Sequence, residues 1–132
     1  MIGNPDKDVL DALLETLPIE FSVVDANDKV LAWNRHETRI FKRPESVLGR
    51  DVRNCHPKKS LHKVEAIISE MKAGKREKAE FWIDMNLEGK PEKVLIQYFA
   101  LRDRQGTYMG CLEASQRLSH IQSLTGERRL LD

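Results

Sequence analysis

Hydrophobic and polar positions repeat with two different periods along this chain, and the changes of period divide it into elements. Leu10, Leu13, Leu14 and Leu17 recur at helical spacing. They follow Asn4-Pro5-Asp6, where a capping side chain and a proline at the first helical position predict a helix start. Pro18 ends that helix, which carries one apolar stripe and needs a surface to lie on. Ile19 to Asp25 alternates as a strand, Asn27-Asp28 supplies turn chemistry, and Lys29 to Trp33 makes a second strand, so the pair reads as a hairpin. Asn34, with Glu37 three residues on, has the spacing of a capping box and predicts a helix from Arg35 to Phe41. A short helical turn over Glu45 to Leu48 is closed by Gly49.

The period returns to helical at Ser60–Met71, where Leu61, Val64, Ile67, Ile68 and Met71 fall on one face and His62 falls nearly opposite their centre. Gly74 stops this helix. Beyond it Ala79, Phe81, Ile83 and Met85 alternate with Glu80, Trp82 and Asp84, a half-buried strand that puts Trp82 opposite Phe81. Glu88-Gly89-Lys90-Pro91 turns the chain into a strand over Lys93 to Arg102 that is apolar on both faces. Asp103 to Gly106 turns it again into a third strand, Thr107 to Ser115. Leu118, Ile121, Leu124 and Leu131 are then partly helical in spacing, with Gly126 a weak point. Two strands, a group of helices and a three-stranded meander predict an α+β fold: a five-stranded antiparallel sheet with helices on one face and a flanking helix at each end. The predicted divisions are a flanking helix over 1–18, a core over 19–116 and an exit helix over 117–132.

Composition narrows the function classes more than it names one. The 132 residues suit one domain with a single core. A net charge of +1 gives no bulk attraction for nucleic acid or an anionic membrane. Apolar runs are only a few residues long and the N-terminus lacks a basic region followed by an apolar core, so neither a membrane span nor a signal peptide is expected. Two cysteines, Cys55 and Cys111, predict no disulfide framework, and the expected compartment is the cytoplasm.

Specific residues then carry a resemblance. Val24-Asp25-Ala26-Asn27-Asp28-Lys29-Val30, Asn34 before the next element and Leu48-Gly49-Arg50 resemble the pattern common to PAS domains. Arg43-Pro44-Glu45-Ser46-Val47-Leu48-Gly49-Arg50, Asn54-Cys55-His56-Pro57, Lys59-Ser60-Leu61-His62, Ala79-Glu80-Phe81-Trp82-Ile83 and Tyr98-Phe99-Ala100 are similar to a PAS subfamily fused to hemerythrin-like cation-binding domains in prokaryotic proteins. So are Tyr108-Met109-Gly110-Cys111-Leu112-Glu113 and Gly126-Glu127-Arg128-Arg129-Leu130-Leu131. Lys58 departs from that pattern, which more often has a second proline there. The resemblance spans roughly Leu10 to Leu131 and implies a PAS fold and a sensory or protein-interaction module rather than a catalyst.

The candidate chemistry gathers where the last long helix begins. Cys55, His56 and His62 offer a thiol and two imidazoles, a donor set that suits haem or a metal. The alternative is structural: Cys55 as a small buried apolar group and His56 as a capping or cross-loop hydrogen-bonding group. Pro57 drives His56 out of the α conformation, so it is expected nearer any pocket than His62. Phe81, Ile83, Ile96, Tyr98 and Cys111 either fill the core or surround a small apolar ligand. Adjacent Cys55 and His56 diverge, so no nucleophile–base pair, and no enzyme, is expected. The expected function is a ligand-binding sensor that relays its state through terminal helices, with a ligand-free dimerisation module as the alternative. The stripe Leu10, Leu13, Leu14 and Leu17, with Leu118, Ile121 and Leu124, predicts a homodimer built on those helices, with a separate effector protein as a further candidate partner.

Overall fold

The computed structural model describes residues 1–35 and 39–131. Helix α1, Lys7–Thr16, is capped by Asp6, whose carboxylate accepts from the Val9 N–H at 2.9 Å. The cap is therefore Asp6 and not Asn4, because an acid two residues nearer the apolar stripe reaches the open N–H groups directly. Strands β1 (Glu20–Asp25) and β2 (Val30–Trp33) form the hairpin read from the sequence. Asp28 in its turn takes the left-handed conformation with φ 65°.

The helix expected from Arg35 to Phe41 is absent where it can be followed: residues 39–41 form no helix, and the proposed capping partner Glu37 lies outside the described residues. Asn34 is fully buried and has other work. Its Oδ1 accepts from Phe21 N–H at 2.9 Å, and its Nδ2 donates to the carbonyls of Ile19 at 2.9 Å and Leu14 at 3.4 Å. A side chain spent on β1 and α1 leaves nothing to cap a following helix.

Three 3-10 turns, Glu45–Val47, Val52–Cys55 and Lys58–Ser60, lead into helix α2, Leu61–Lys72. Val64, Ile68 and Met71 of α2 are buried, the stripe that the helical period places inward. The meander β3 (Lys78–Leu87), β4 (Lys90–Arg102) and β5 (Tyr108–Arg117) completes the sheet, in the order β2-β1-β5-β4-β3 with every pairing antiparallel. The β3–β4 turn is shorter than expected. Leu87 pairs with Lys90 across Glu88 and Gly89, whose φ values of 55° and 78° match the hairpin turn that follows strand twist. Pro91 thus sits inside β4, beyond the last β5 pairing at Val94–Arg117, where its missing N–H breaks no ladder.

Register fixes what faces α2. Glu20, Ser22 and Val24 of β1 stand opposite Ser115, Glu113 and Cys111 of β5. Those three stand opposite Ile96, Tyr98 and Ala100 of β4. Residues directly opposite share a face, so the inner face is apolar at one side and polar in the middle. Its apolar part forms the core around Met71, Val94, Ile96, Tyr98 and Cys111, with Phe81 and Ala79 packed against it. A second cluster joins Val24, Val52, Val64 and Ile68. The exit helix expected over 117–132 shrinks to one turn, α3, Ser119–Gln122. Strand β5 runs on to Arg117, and Gly126 at φ 63° lies in non-helical chain beyond. No helix among the described residues is long and apolar enough to cross a membrane.

Candidate functional site

The two elements that the sequence brings together around His56 enclose a small cavity. Val52 enters from the second 3-10 turn, Val64 and Ile68 from α2, and Val24, Tyr98, Cys111 and Glu113 from the sheet. Its volume is about 20 Å³, room for one water-sized molecule. Most of the wall is aliphatic. Three polar groups, His56, Tyr98 and Glu113, converge on it.

His56 reaches this position through its own backbone. As the residue after the 3-10 turn and before Pro57 it is extended, φ −123° and ψ 148°, which turns the ring away from the helical direction. Its Nδ1 lies 3.0 Å from the Val52 carbonyl and its Nε2 lies 3.4 Å from the Tyr98 hydroxyl. A carbonyl only accepts, so Nδ1 carries the proton and donates; in that tautomer Nε2 accepts from Tyr98. Burial raises the Tyr98 hydroxyl well above the usual phenol range, and the neighbouring Glu113 charge adds to this, so Tyr98 stays a donor. Phe81 holds the Tyr98 ring edge-on, centroids 5.5 Å apart at 75°.

Glu113 forms an ion pair with Arg43 at 3.7 Å, both side chains largely buried. Burial raises its carboxyl above the ordinary glutamate range, against the opposing pull of the Arg43 and Arg39 charges. Next to it the strip continues as Glu20, which accepts from the N–H groups of Ile40 and of Phe41, the latter at 3.0 Å. Arg39 donates to Ser22 Oγ at 2.9 Å and to the carbonyls of Asn34 at 2.9 Å and Phe41 at 2.8 Å. Residues 39–41 are thus tied to the sheet by charged side chains.

Of the residues singled out from the sequence, His56, Tyr98 and Cys111 line the cavity. Ile96 is buried in the core behind it and Phe81 braces Tyr98. Ile83 is partly exposed on β3, away from the lining, and His62 is exposed on α2. Cys55 is half-buried with its thiol 3.8 Å from the Asp51 carbonyl, outside the lining. Trp82 projects on the other face of the sheet, 62% exposed. Sequence reasoning missed Glu113 and Arg43 as site residues. Glu113 was within reach, since it follows Cys111 by two in a strand and therefore shares its face. Arg43 was not, because its position depends on a segment with no period.

The structure does not bring Cys55, His56 and His62 together: His56 lines the cavity with both ring nitrogens engaged, whereas Cys55 lies outside the lining and His62 is exposed on α2. Among the described residues no three His, Cys, Asp or Glu side chains converge as a metal would need. A cavity of about 20 Å³ is far smaller than a porphyrin.

Against known proteins, the PAS domain family profile matches residues 10–118. A C-terminal domain from Streptococcus mutans is 30% identical with a TM-score of 0.85, over 95% of this chain and 94% of that one. The PAS domain of Bordetella pertussis BvgS is 17% identical with a TM-score of 0.64, over 85% of each chain. Vibrio cholerae VqmA is 17% identical with a TM-score of 0.65, over 92% of this chain and 55% of that one. No curated protein is significantly similar in sequence. Sheet order, helical wall and profile agree: this chain belongs to the PAS domain family.

Proposed function

We propose that this PAS domain is a sensor whose signal is a small molecule taken between the sheet and α2, with His56, Tyr98 and Glu113 as its polar contacts. The observation that carries this reading is the convergence of three polar side chains on an otherwise apolar space between sheet and α2. VqmA, which shares the fold, has been solved bound to DPO and as a dimer. In this reading His56 is the contact and His62 the bystander. Mass spectrometry of organic extracts tests it: wild type and His62→Ala should release the same co-purifying compound, and His56→Ala should retain several-fold less. Equal retention by both variants would remove His56 from the site.

The small volume favours a second reading, a ligand-free interaction module whose core is simply filled. An extract with no bound compound supports it.

Output in either reading runs through the terminal helices, which we place at a homodimer interface. Helix α1 buries none of its residues within the chain, and Leu13 and Leu14 are 43% and 41% exposed. Ile121 and Leu124 are also exposed at the other end. Stripes of this kind mark interfaces. The double change Leu13→Glu and Leu14→Glu should give a folded monomer, since neither residue supports the core. Sedimentation of wild type at micromolar concentration should show a dimer; a wild-type monomer contradicts the assignment. The similarity of the motifs to those of the hemerythrin-fused subfamily supports a role in a prokaryotic sensor.

A further inference from the structure

The chemistry of the cavity's polar end selects a class of ligand, given the proposed ligand role for this site. With the Nδ1–H of His56 committed to the Val52 carbonyl, Nε2 at 3.4 Å is left as an acceptor, and in that tautomer Tyr98 donates to it. What Tyr98 then turns outward is its oxygen lone pairs. Beside it stands Glu113, a carboxylate with about four acceptor positions and an ion pair to Arg43 at 3.7 Å, longer than a tight hydrogen bond. Both neighbours of the space therefore offer acceptors. The nearby charges are matched as well: Glu113 against Arg43, and Glu20 bound to backbone N–H groups next to Arg39. The rest of the lining, Val24, Val52, Val64, Ile68 and Cys111, is apolar.

We propose that the ligand of this cavity is an uncharged, mainly apolar molecule that donates an O–H or N–H hydrogen bond to Glu113 and Tyr98. A carboxylate ligand would face Glu113 with like charge in a desolvated space. A cationic ligand would compete with Arg43 for Glu113 and leave one positive charge buried without a partner. A hydrocarbon would leave the two acceptors without water or donor. Because the aliphatic walls close to about 20 Å³, admission of such a ligand requires the α2 side to move outward.

Phenol, toluene and benzoate separate these cases, since phenol and toluene match in shape and benzoate adds the charge. In calorimetric titrations of the full chain, phenol should bind roughly tenfold tighter than benzoate and several-fold tighter than toluene. Glu113→Gln, which keeps an acceptor and removes the charge, should narrow the gap to benzoate. Tyr98→Phe, which leaves the volume almost unchanged, should narrow the gap to toluene. Toluene or benzoate binding wild type as tightly as phenol overturns the proposal while leaving the cavity a ligand site. Gaps unchanged in both variants also overturn it. No binding by any of the three removes the ligand site, and the proposal with it.

Discussion

Replacing Gly110 by alanine is expected to cost roughly 3 kcal/mol or more of folding stability. Gly110 pairs with Asp25 where β1 meets β5, at φ 155°. A Cβ built there lies 2.2 Å from the Val24 carbonyl oxygen, 3.2 Å from its carbon and 3.3 Å from the Asp25 Cα. All three are backbone atoms, so no side chain can swing aside. The strands must part, and β1 carries Val24 into the cavity while Cys111 follows Gly110 directly. With total stability of a domain this size at about 5–15 kcal/mol, the loss is a large fraction of the whole. Urea denaturation checks it, and a loss under about 1 kcal/mol contradicts the close approach. Stability and ligand response should fall together, because the same pairing holds the cavity floor.

The second large effect is at Asp28, which fastens the helical wall to the first hairpin. Its side chain is 8% exposed and pairs with Lys72 at 2.8 Å and Arg53 at 3.1 Å. Its carbonyl accepts from Val52 N–H at 2.8 Å. Lys72 closes α2 and Arg53 lies in the turn that carries Val52, so one carboxylate holds both ends of the wall. Asp28→Asn keeps a residue tolerant of positive φ and removes only the charge. It should cost about 2 kcal/mol: charge-assisted bonds are lost, but both cations are more than a third exposed and Arg53 keeps Asp51 and Glu65. Hydrogen exchange at α2 amides should accelerate more than exchange in β3 and β4. A uniform increase across the chain would mean that Asp28 supports the fold as a whole and not the wall in particular.

These two residues show where sequence reading ends. The meander was legible because alternation survives in β3 and turn residues bound the doubly apolar run of β4, and α2 because its stripe and its contacts agree. The turn at Asn27-Asp28 was legible as a turn. That Asp28 reaches 44 residues along the chain to Lys72 was not, since no local pattern encodes a partner on another element. Gly110 carries no local signal of its role, because the reason for it lies in the β1 backbone pressed against it. Asn34 carried a convincing capping signature yet turns its amide to Phe21, Ile19 and Leu14, because burial against β1 outweighs a local cap. The exit segment had a partial stripe, but only one turn gains contacts enough to stay helical. At the site, His56 was placed by Pro57 and the extended backbone before it. Its tautomer and its link to Tyr98, 42 residues away, needed the fold.

The proposed function requires that the space between sheet and α2 admit a small molecule. Methyl NMR spectra of the protein, titrated with phenol to millimolar concentration, are the direct test. The methyl signals of Val24, Val52, Val64 and Ile68 should shift together and saturate, while those of Leu13 and Leu124 stay in place. Cavity methyls that do not move, or shifts that grow without saturating across the exposed leucines, would contradict it and leave a filled core that binds nothing.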